Sequence, residues 1–183
     1  QILPAKELCE LASKHEIYSI VDGAHSFCQF DFKVPELNCD FFATSLHKWL
    51  CAPFGTGMLY MRKELIPEVW PMYGYPENEV DKISKFEHLG TRSFPIELAI
   101  GDAISFHNAI GTPRKEARLR YLKDYWVNKV KELKIKGFML NTSMDKRFSC
   151  AIANFRIEGV DLSKLSRALL LEHHLYHTVF HHK

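Results

Sequence analysis

The chain has 183 residues, enough for one domain with a sizeable core, and its 46% hydrophobic and 25% charged residues are those of an ordinary globular protein. A net charge of +2 gives no case for nucleic acid or an anionic membrane as partner, and the longest apolar runs are strand-length, far short of a bilayer span. Five cysteines at wide spacing, an odd number with no Cys-x-x-Cys, favour unpaired thiols in a reducing compartment, the cytoplasm, over a disulfide framework or a zinc knuckle.

Ala5 to His15 carries Leu8, Cys9, Leu11 and Ala12 between charged residues, a helical stripe. Ile17 to Val21 is a continuous apolar run, as expected of a strand covered on both faces, and it stops at Asp22. Phe41 to Ser45 is the next strand and runs into Leu46-His47-Lys48. Gly55-Thr56-Gly57 leads to a further strand at Met58 to Met61. Pro67 to Lys85, with Pro71, Gly74 and Pro76, reads as a long irregular connection. Pro95 opens a helix whose broad apolar face holds Ile96, Leu98, Ala99, Ile100, Ala103, Ile104 and Phe106, and Gly111 ends it. Thr112-Pro113 starts a longer helix reaching about Leu133, and its basic run from Arg114 to Lys136 reads as a solvated face. Cys150 to Ile157 reads as a strand, Asp161 as the cap of a helix reaching His173, and Leu175 to Phe180 as another strand.

Helix and strand alternating with short loops is the pattern of an α/β protein with a mostly parallel sheet. Such sheets hold ligands at the carboxyl ends of their strands, where Asp22, Ser45, His47 and Lys48 all fall. Each of these alone reads equally well as a surface residue opening a loop. Together, an acid and a lysine delivered to one sheet edge are what pyridoxal phosphate chemistry needs. The lysine forms a Schiff base, and the acid keeps the pyridine nitrogen protonated so that the ring accepts electrons.

Val21-Asp22-Gly23-Ala24-His25, the run from Ser45 to Pro53 and Gly55-Thr56-Gly57-Met58-Leu59 together resemble the class V aminotransferase family of fold-type I pyridoxal phosphate enzymes. That family includes cysteine desulfurases, selenocysteine lyases and isopenicillin N epimerases. His47 to Pro53 and Gly90-Thr91-Arg92 are most similar to the epimerase-like branch, and the resemblance spans roughly Ala5 to Gly111.

The resemblance implies a role for each matching residue. Lys48 forms the Schiff base with pyridoxal 5'-phosphate and then moves the proton at the substrate α-carbon. Asp22, buried beside a cation, pairs with the pyridinium nitrogen. Ala24 packs on the ring, and His25, where many relatives carry Gln, lies near the phenolic oxygen. Ser45 and His47 hydrogen-bond the phosphate. Thr91 reaches the phosphate of the neighbouring subunit's cofactor in a homodimer with shared sites, and Arg92 takes the carboxylate of an amino-acid substrate, unless it forms only a loop salt bridge.

The fold expected is thus a three-layer, mostly parallel α/β sheet of a fold-type I enzyme plus a partial α+β small domain. Residues 1–111 form part of the large domain, 112–148 a connecting helix and linker, and 149–183 an incomplete small domain. The chain reads as a fragment, inactive alone, since the family's phosphate loop and ring-stacking residue fall upstream, and its substrate-binding Arg and mobile-loop Cys downstream. Epimerisation, β-elimination of sulfur or selenium, and a non-catalytic relative all stay open. A nucleotide-binding domain is disfavoured by the lack of a Gly-rich phosphate motif. Cys51 is expected to pack. His173, His174, His177, His181 and His182 are dense, but a strand at 175–180 would break helical spacing, so no metal site is expected.

Overall fold

A computed structural model describes residues 1–88 and 90–180 and divides the chain into two compact units, residues 2–118 and residues 119–183 joined by Gln1. His181 and His182 of the histidine cluster lie outside the described residues.

The first unit is built on a three-stranded sheet of β1 (Ile20–Asp22), β2 (Phe41–Ser45) and β3 (Gly57–Met61), in that order. β1 and β2 run parallel, with Asp22 opposite Ala43, while β3 returns antiparallel to β2 with Gly57 opposite Ser45. The expectation of a mostly parallel sheet is therefore met on one side of β2, with an antiparallel strand on the other, a common pattern in α/β sheets. Asp40, just before β2, ties the three strands together. Its carboxylate accepts hydrogen bonds from the Ser19 amide (2.7 Å) and hydroxyl (2.9 Å) and pairs with Arg62 beyond β3 (3.4 Å).

Residues alternate across β2 as the period of a strand requires, Phe42 and Thr44 being buried. Phe42, at 0% exposure, closes a core with Cys39 and with Cys9 of helix α1 (Ala5–Lys14). Helix α1 uses Cys9 for this, whereas Leu8 and Leu11 of the expected stripe face outward. A second core joins Leu46, Leu50 and Ala52 to Ala103 of helix α2 (Phe94–Ile110), and a third holds Met61, Leu65 and Ile66.

Two expectations about burial fail within this unit. Ile20 of β1 is 71% exposed, as are Ile17 and Tyr18 to nearly the same degree, so the outer face of β1 is uncovered. On α2 only the Ile100–Ala103–His107 stripe packs inward, and Leu98, Ile104 and Phe106 are exposed. The physical reason is one of partners: a single sheet and one core cluster occupy one stripe of the helix and leave the rest of its apolar surface open. Gly111, at φ +84°, ends α2 as expected.

The connection after β3 is irregular, with short 3-10 turns at Lys63–Glu68, Glu77–Glu79 and Ile83–Phe86. It is fastened by a buried lysine. The Lys85 ammonium donates to the carbonyls of Ile66 (2.5 Å) and Val80 (2.9 Å) and sits 5.1 and 5.0 Å from the ring centres of Tyr75 and Phe86.

The division between units falls within helix α3 (Thr112–Glu132). In the second unit β4 (Phe138–Leu140) pairs antiparallel with β5 (Phe155–Ile157), and Phe155 packs its ring against Trp126 and Phe138. The expected strand at 150–157 is thus only its last three residues, and β4 is an addition. Residues 150–154 lie outside the ladder, and the Asn141 amide donates to the Asn154 carbonyl at 2.8 Å just before β5 begins. Helix α4 (Leu162–His173) starts where expected, with the Asp161 carboxylate accepting from the amides of Ser163 (2.9 Å) and Lys164 (3.1 Å). It ends at His174, which is left-handed at φ +54°. Residues 175–180 are irregular instead of the expected strand, and among the described residues no strand pairs with them.

Most basic residues from Arg114 to Lys136 are exposed, the solvated face that the charge pattern implied, but there are exceptions. Lys123 is buried and donates to the Ser149 hydroxyl at 3.1 Å, and Lys115 also turns inward. Stem methylenes let a lysine cross an apolar surface to a distant acceptor, which sequence periodicity does not register. Among the described residues no helix is long and apolar enough to cross a membrane.

Candidate active site

Parallel pairing of β1 with β2 brings the carboxyl ends of both strands to the same side of the sheet, and with them Asp22 and Ser45. Each strand is followed by a tight turn. After β1 the Asp22 carboxylate accepts the Ala24 amide at 2.9 Å, and the Gly23 amide donates to Ala43 at 2.7 Å, so the first turn stays laced to β2. The Gln29 side chain then donates to the His25 carbonyl at 2.7 Å, fixing the short coil that carries the imidazole.

After β2 the chain folds through residues 46–52. The Ala52 amide donates to Leu46 (3.1 Å) and the Cys51 amide to Lys48 (3.3 Å), while Leu46 itself donates to Thr56 (3.1 Å). Leu46, Leu50 and Ala52 anchor this turn in the core, and His47, Lys48 and Trp49, between them in sequence, are left half-buried. Closing the turn requires a left-handed Cys51 at φ +63°. That geometry turns the Cys51 side chain to solvent, against the expectation that it packs.

The two turns meet. Lys48 Nζ lies 3.2 Å from His25 Nε2, which accepts the ammonium proton when the imidazole is neutral. The pKa of His25 is held below the ordinary imidazole value first by burial and then by the charge on Lys48, with Asp22 opposing. The shift favours the neutral imidazole, whose Nε2 accepts a hydrogen bond from the amine. Asp22 is exposed rather than buried in this structure.

His47 stacks obliquely near Phe54, 5.5 Å between ring centres, and its buried Nδ1 has no hydrogen-bond partner. Trp49 Nε1 is a second buried polar atom without a partner. A buried imidazole nitrogen left open beside Ser45 and Lys48 suits an anionic group, so the chain's donors fit a phosphate-bearing carbonyl cofactor: an amine to capture it, a carboxylate and an orphaned ring nitrogen.

Thr91 and Arg92 do not join this group. Thr91 is exposed, and Arg92 pairs with Glu97 at 2.9 Å and also donates to the Glu87 carbonyl, the loop salt bridge that was the simpler reading of its sequence. Sequence reasoning missed His107 and Lys115. Lys115 donates to the Trp49 carbonyl and lies 3.4 Å from His107 Nδ1, while His107 Nε2 lies 3.1 Å from the Thr112 hydroxyl. Nothing in the sequence separates Lys115 from its basic neighbours. Helix α4 stops at His173 with His174 as its cap, and no group of three metal-ligating side chains occurs among the described residues.

Residues 1–173 match the family model for aminotransferase class-V. The chain is 32% identical over 185 residues to isopenicillin N epimerase of Streptomyces clavuligerus, covering 92% of this chain and 46% of that protein. It is 34% identical over 142 residues to a probable cysteine desulfurase of Halalkalibacterium halodurans, covering 72% and 34%. Among solved structures it resembles an apo cysteine desulfurase from Thermococcus onnurineus NA1, with a TM-score of 0.77 at 21% identity over 94% of this chain and 44% of that one. It also resembles C-DES, a lysine-to-alanine mutant with glycine covalently linked to its cofactor, with a TM-score of 0.77 at 18% identity over 96% and 49%. These likenesses carry the fold, the α/β architecture of fold-type I enzymes. The chain spans about half the length of the curated relatives it matches, or less.

Proposed function

Because the chain belongs to the class-V aminotransferase family, we propose that it supplies the lysine-bearing part of a pyridoxal 5'-phosphate site in an enzyme acting on an amino acid. The observation that carries this reading is the 3.2 Å contact between Lys48 Nζ and His25 Nε2, beside Asp22 at the end of the neighbouring parallel strand. A lysine amine held at this point by a hydrogen bond to the imidazole is placed to act as nucleophile in its free-base form, and later as base. Bound there, the cofactor supplies a carbonyl that captures amino groups and a ring that takes up electrons when a bond at the substrate α-carbon breaks.

In this reading Lys48 holds the cofactor and, once released, removes and returns the α-proton. Asp22 presents a negative charge to the ring nitrogen. Ala24 lies against the ring, and His25 serves both Lys48 and the phenolic oxygen. Ser45 and the open Nδ1 of His47 receive the phosphate. Thr91 acts on the cofactor of the second subunit of a homodimer. Arg92 exchanges Glu97 for the substrate carboxylate, a bidentate match that a guanidinium makes well. The odd number of widely spaced cysteines supports the cytoplasm as the compartment.

For the reaction itself we take epimerisation at the α-carbon, supported by 32% identity to isopenicillin N epimerase over 92% of this chain, against 29% to probable cysteine desulfurases of Xylella fastidiosa over the same share. β-Elimination is the second reading, supported by the matches to desulfurases and to the hercynylcysteine sulfoxide lyase of Schizosaccharomyces pombe at 30% identity. Borohydride reduction of the cofactor-loaded intact protein, followed by peptide mapping, is expected to label Lys48. A label on any other lysine overturns the assignment. Exchange of the α-proton in deuterated water without release of sulfide or selenide supports epimerisation, and release of either replaces it with elimination.

A further inference from the structure

We infer that Lys115 is a positioning residue for Lys48, acting through the carbonyl of Trp49. The inference rests on the assignment of Lys48 as the reactive amine only for its consequence; the geometry stands without it.

The turn of residues 46–52 closes through two of its own carbonyls. Leu46 accepts the Ala52 amide and Lys48 accepts the Cys51 amide, at 3.1 and 3.3 Å. The carbonyl of Trp49 is taken instead by the ammonium of Lys115 from the first turn of α3. The Cys51 thiol is its other partner, at 3.9 Å, a weak one. The residue bonded to Lys48 in sequence is thus fastened by a charge-assisted hydrogen bond from a separate element. Such a bond is stronger than the neutral amide bonds beside it.

Lys115 is itself held. Its ammonium lies 3.4 Å from His107 Nδ1, and His107 Nε2 lies 3.1 Å from the Thr112 hydroxyl. An ammonium can only donate, so Nδ1 is the acceptor and Nε2 carries the ring proton toward Thr112. His107 is buried on the stripe of α2 that packs against Leu46, Leu50 and Ala52. The chain of contacts therefore runs from the core of α2 to the Lys115 ammonium, to the Trp49 carbonyl, and so to the backbone of Lys48. A left-handed Cys51 at φ +63° is an unfavourable conformation for a side chain with a Cβ, and the turn needs an external tie to hold it.

The test uses the intact protein without cofactor and reads amide hydrogen exchange in Lys115→Met and Lys115→Arg. In Lys115→Met the Cys51 and Ala52 amides are expected to exchange about tenfold faster or more, as loss of one charge-assisted hydrogen bond implies, while amides of β2 and β3 keep their rates. Lys115→Arg, which can still donate to the carbonyl, is expected to keep most of the protection. Wild-type exchange at Cys51 and Ala52 in Lys115→Met overturns the inference. So does equal acceleration across β2 and β3, which marks a general loss of stability. With cofactor added, the pH midpoint of the visible absorbance band is expected to shift in Lys115→Met and return in Lys115→Arg. If exchange responds as stated but borohydride labels a lysine other than Lys48, the positioning of the turn stands and the assignment of Lys48 falls.

Discussion

Gly23, between Asp22 and Ala24, tests how tightly the first turn is seated on the core. A methyl group added there would lie 2.0, 2.5 and 2.8 Å from three ring carbons of Phe42, whereas carbon pairs rest at about 3.5–4.0 Å. The ring has nowhere to go. Phe42 is fully buried, its centroid lies 6.3 Å from Phe27 and 5.9 Å from Phe32, and Cys9 and Cys39 close on it. The backbone cannot retreat cheaply either, since the Gly23 amide donates to Ala43 at 2.7 Å and its carbonyl accepts from Thr44 at 3.2 Å. Two effects oppose each other in Gly23→Ala. Reduced freedom of the unfolded chain stabilises by about 0.4–1 kcal/mol. Overpacking costs about 1–3 kcal/mol and wins. The expected net loss is about 1–2 kcal/mol, a fall of roughly 2–8 °C in Tm for a protein of this size. Thermal unfolding followed by circular dichroism measures it. Phe42→Leu alone leaves a void and also destabilises. The double variant Gly23→Ala/Phe42→Leu is therefore expected to lose about 1 kcal/mol less than the sum of the single changes. Additivity within about 0.5 kcal/mol, or a Gly23→Ala variant with wild-type Tm, would refute the reasoning.

The remaining expectations are as direct. Asp22→Asn keeps an oxygen for the Ala24 amide and should fold normally, yet it loses the charge proposed to face the cofactor ring, so α-proton exchange in deuterated water should fall steeply; near wild-type exchange contradicts the role. His25 should titrate below its usual value of 6.5, because burial and Lys48 both disfavour its cation. Its depressed pKa makes the neutral form's contribution to stability complete above about 6.5 and progressively lost as pH falls through the folded-state value. An NMR titration of the His25 ring checks this, and in Lys48→Ala the midpoint should move back upward; an unshifted midpoint in both proteins is the contrary result. Asp161→Ala removes the acceptor for two amides of α4 and should cost about 1 kcal/mol, visible as a lower urea midpoint.

Most of the site was legible because its logic is local and chemical. Two apolar runs that each stop at an ionisable residue imply two strand ends, and a parallel sheet necessarily aligns such ends, so Asp22, Ser45, His47 and Lys48 could be grouped from the sequence before any coordinates. Helix ends were legible for the same reason: Gly111 and Asp161 act through their own backbone or side chain within one turn. What depends on distant partners was not legible. The strand partner of β5 is β4, a three-residue run with no periodicity of its own, and among the described residues nothing comparable pairs with residues 175–180, which are irregular. Exposure of Ile20 and Leu98 follows from which surfaces the chain covers, a quantity no window of residues contains. The 3.2 Å approach of Lys48 to His25 and the reach of Lys115 to Trp49 are set by side chains arriving from separate elements. A lysine bound to a buried carbonyl and a lysine in water look alike in a sequence. They differ only in what the fold brings within hydrogen-bond distance, because burial and partnership are properties of packing in three dimensions.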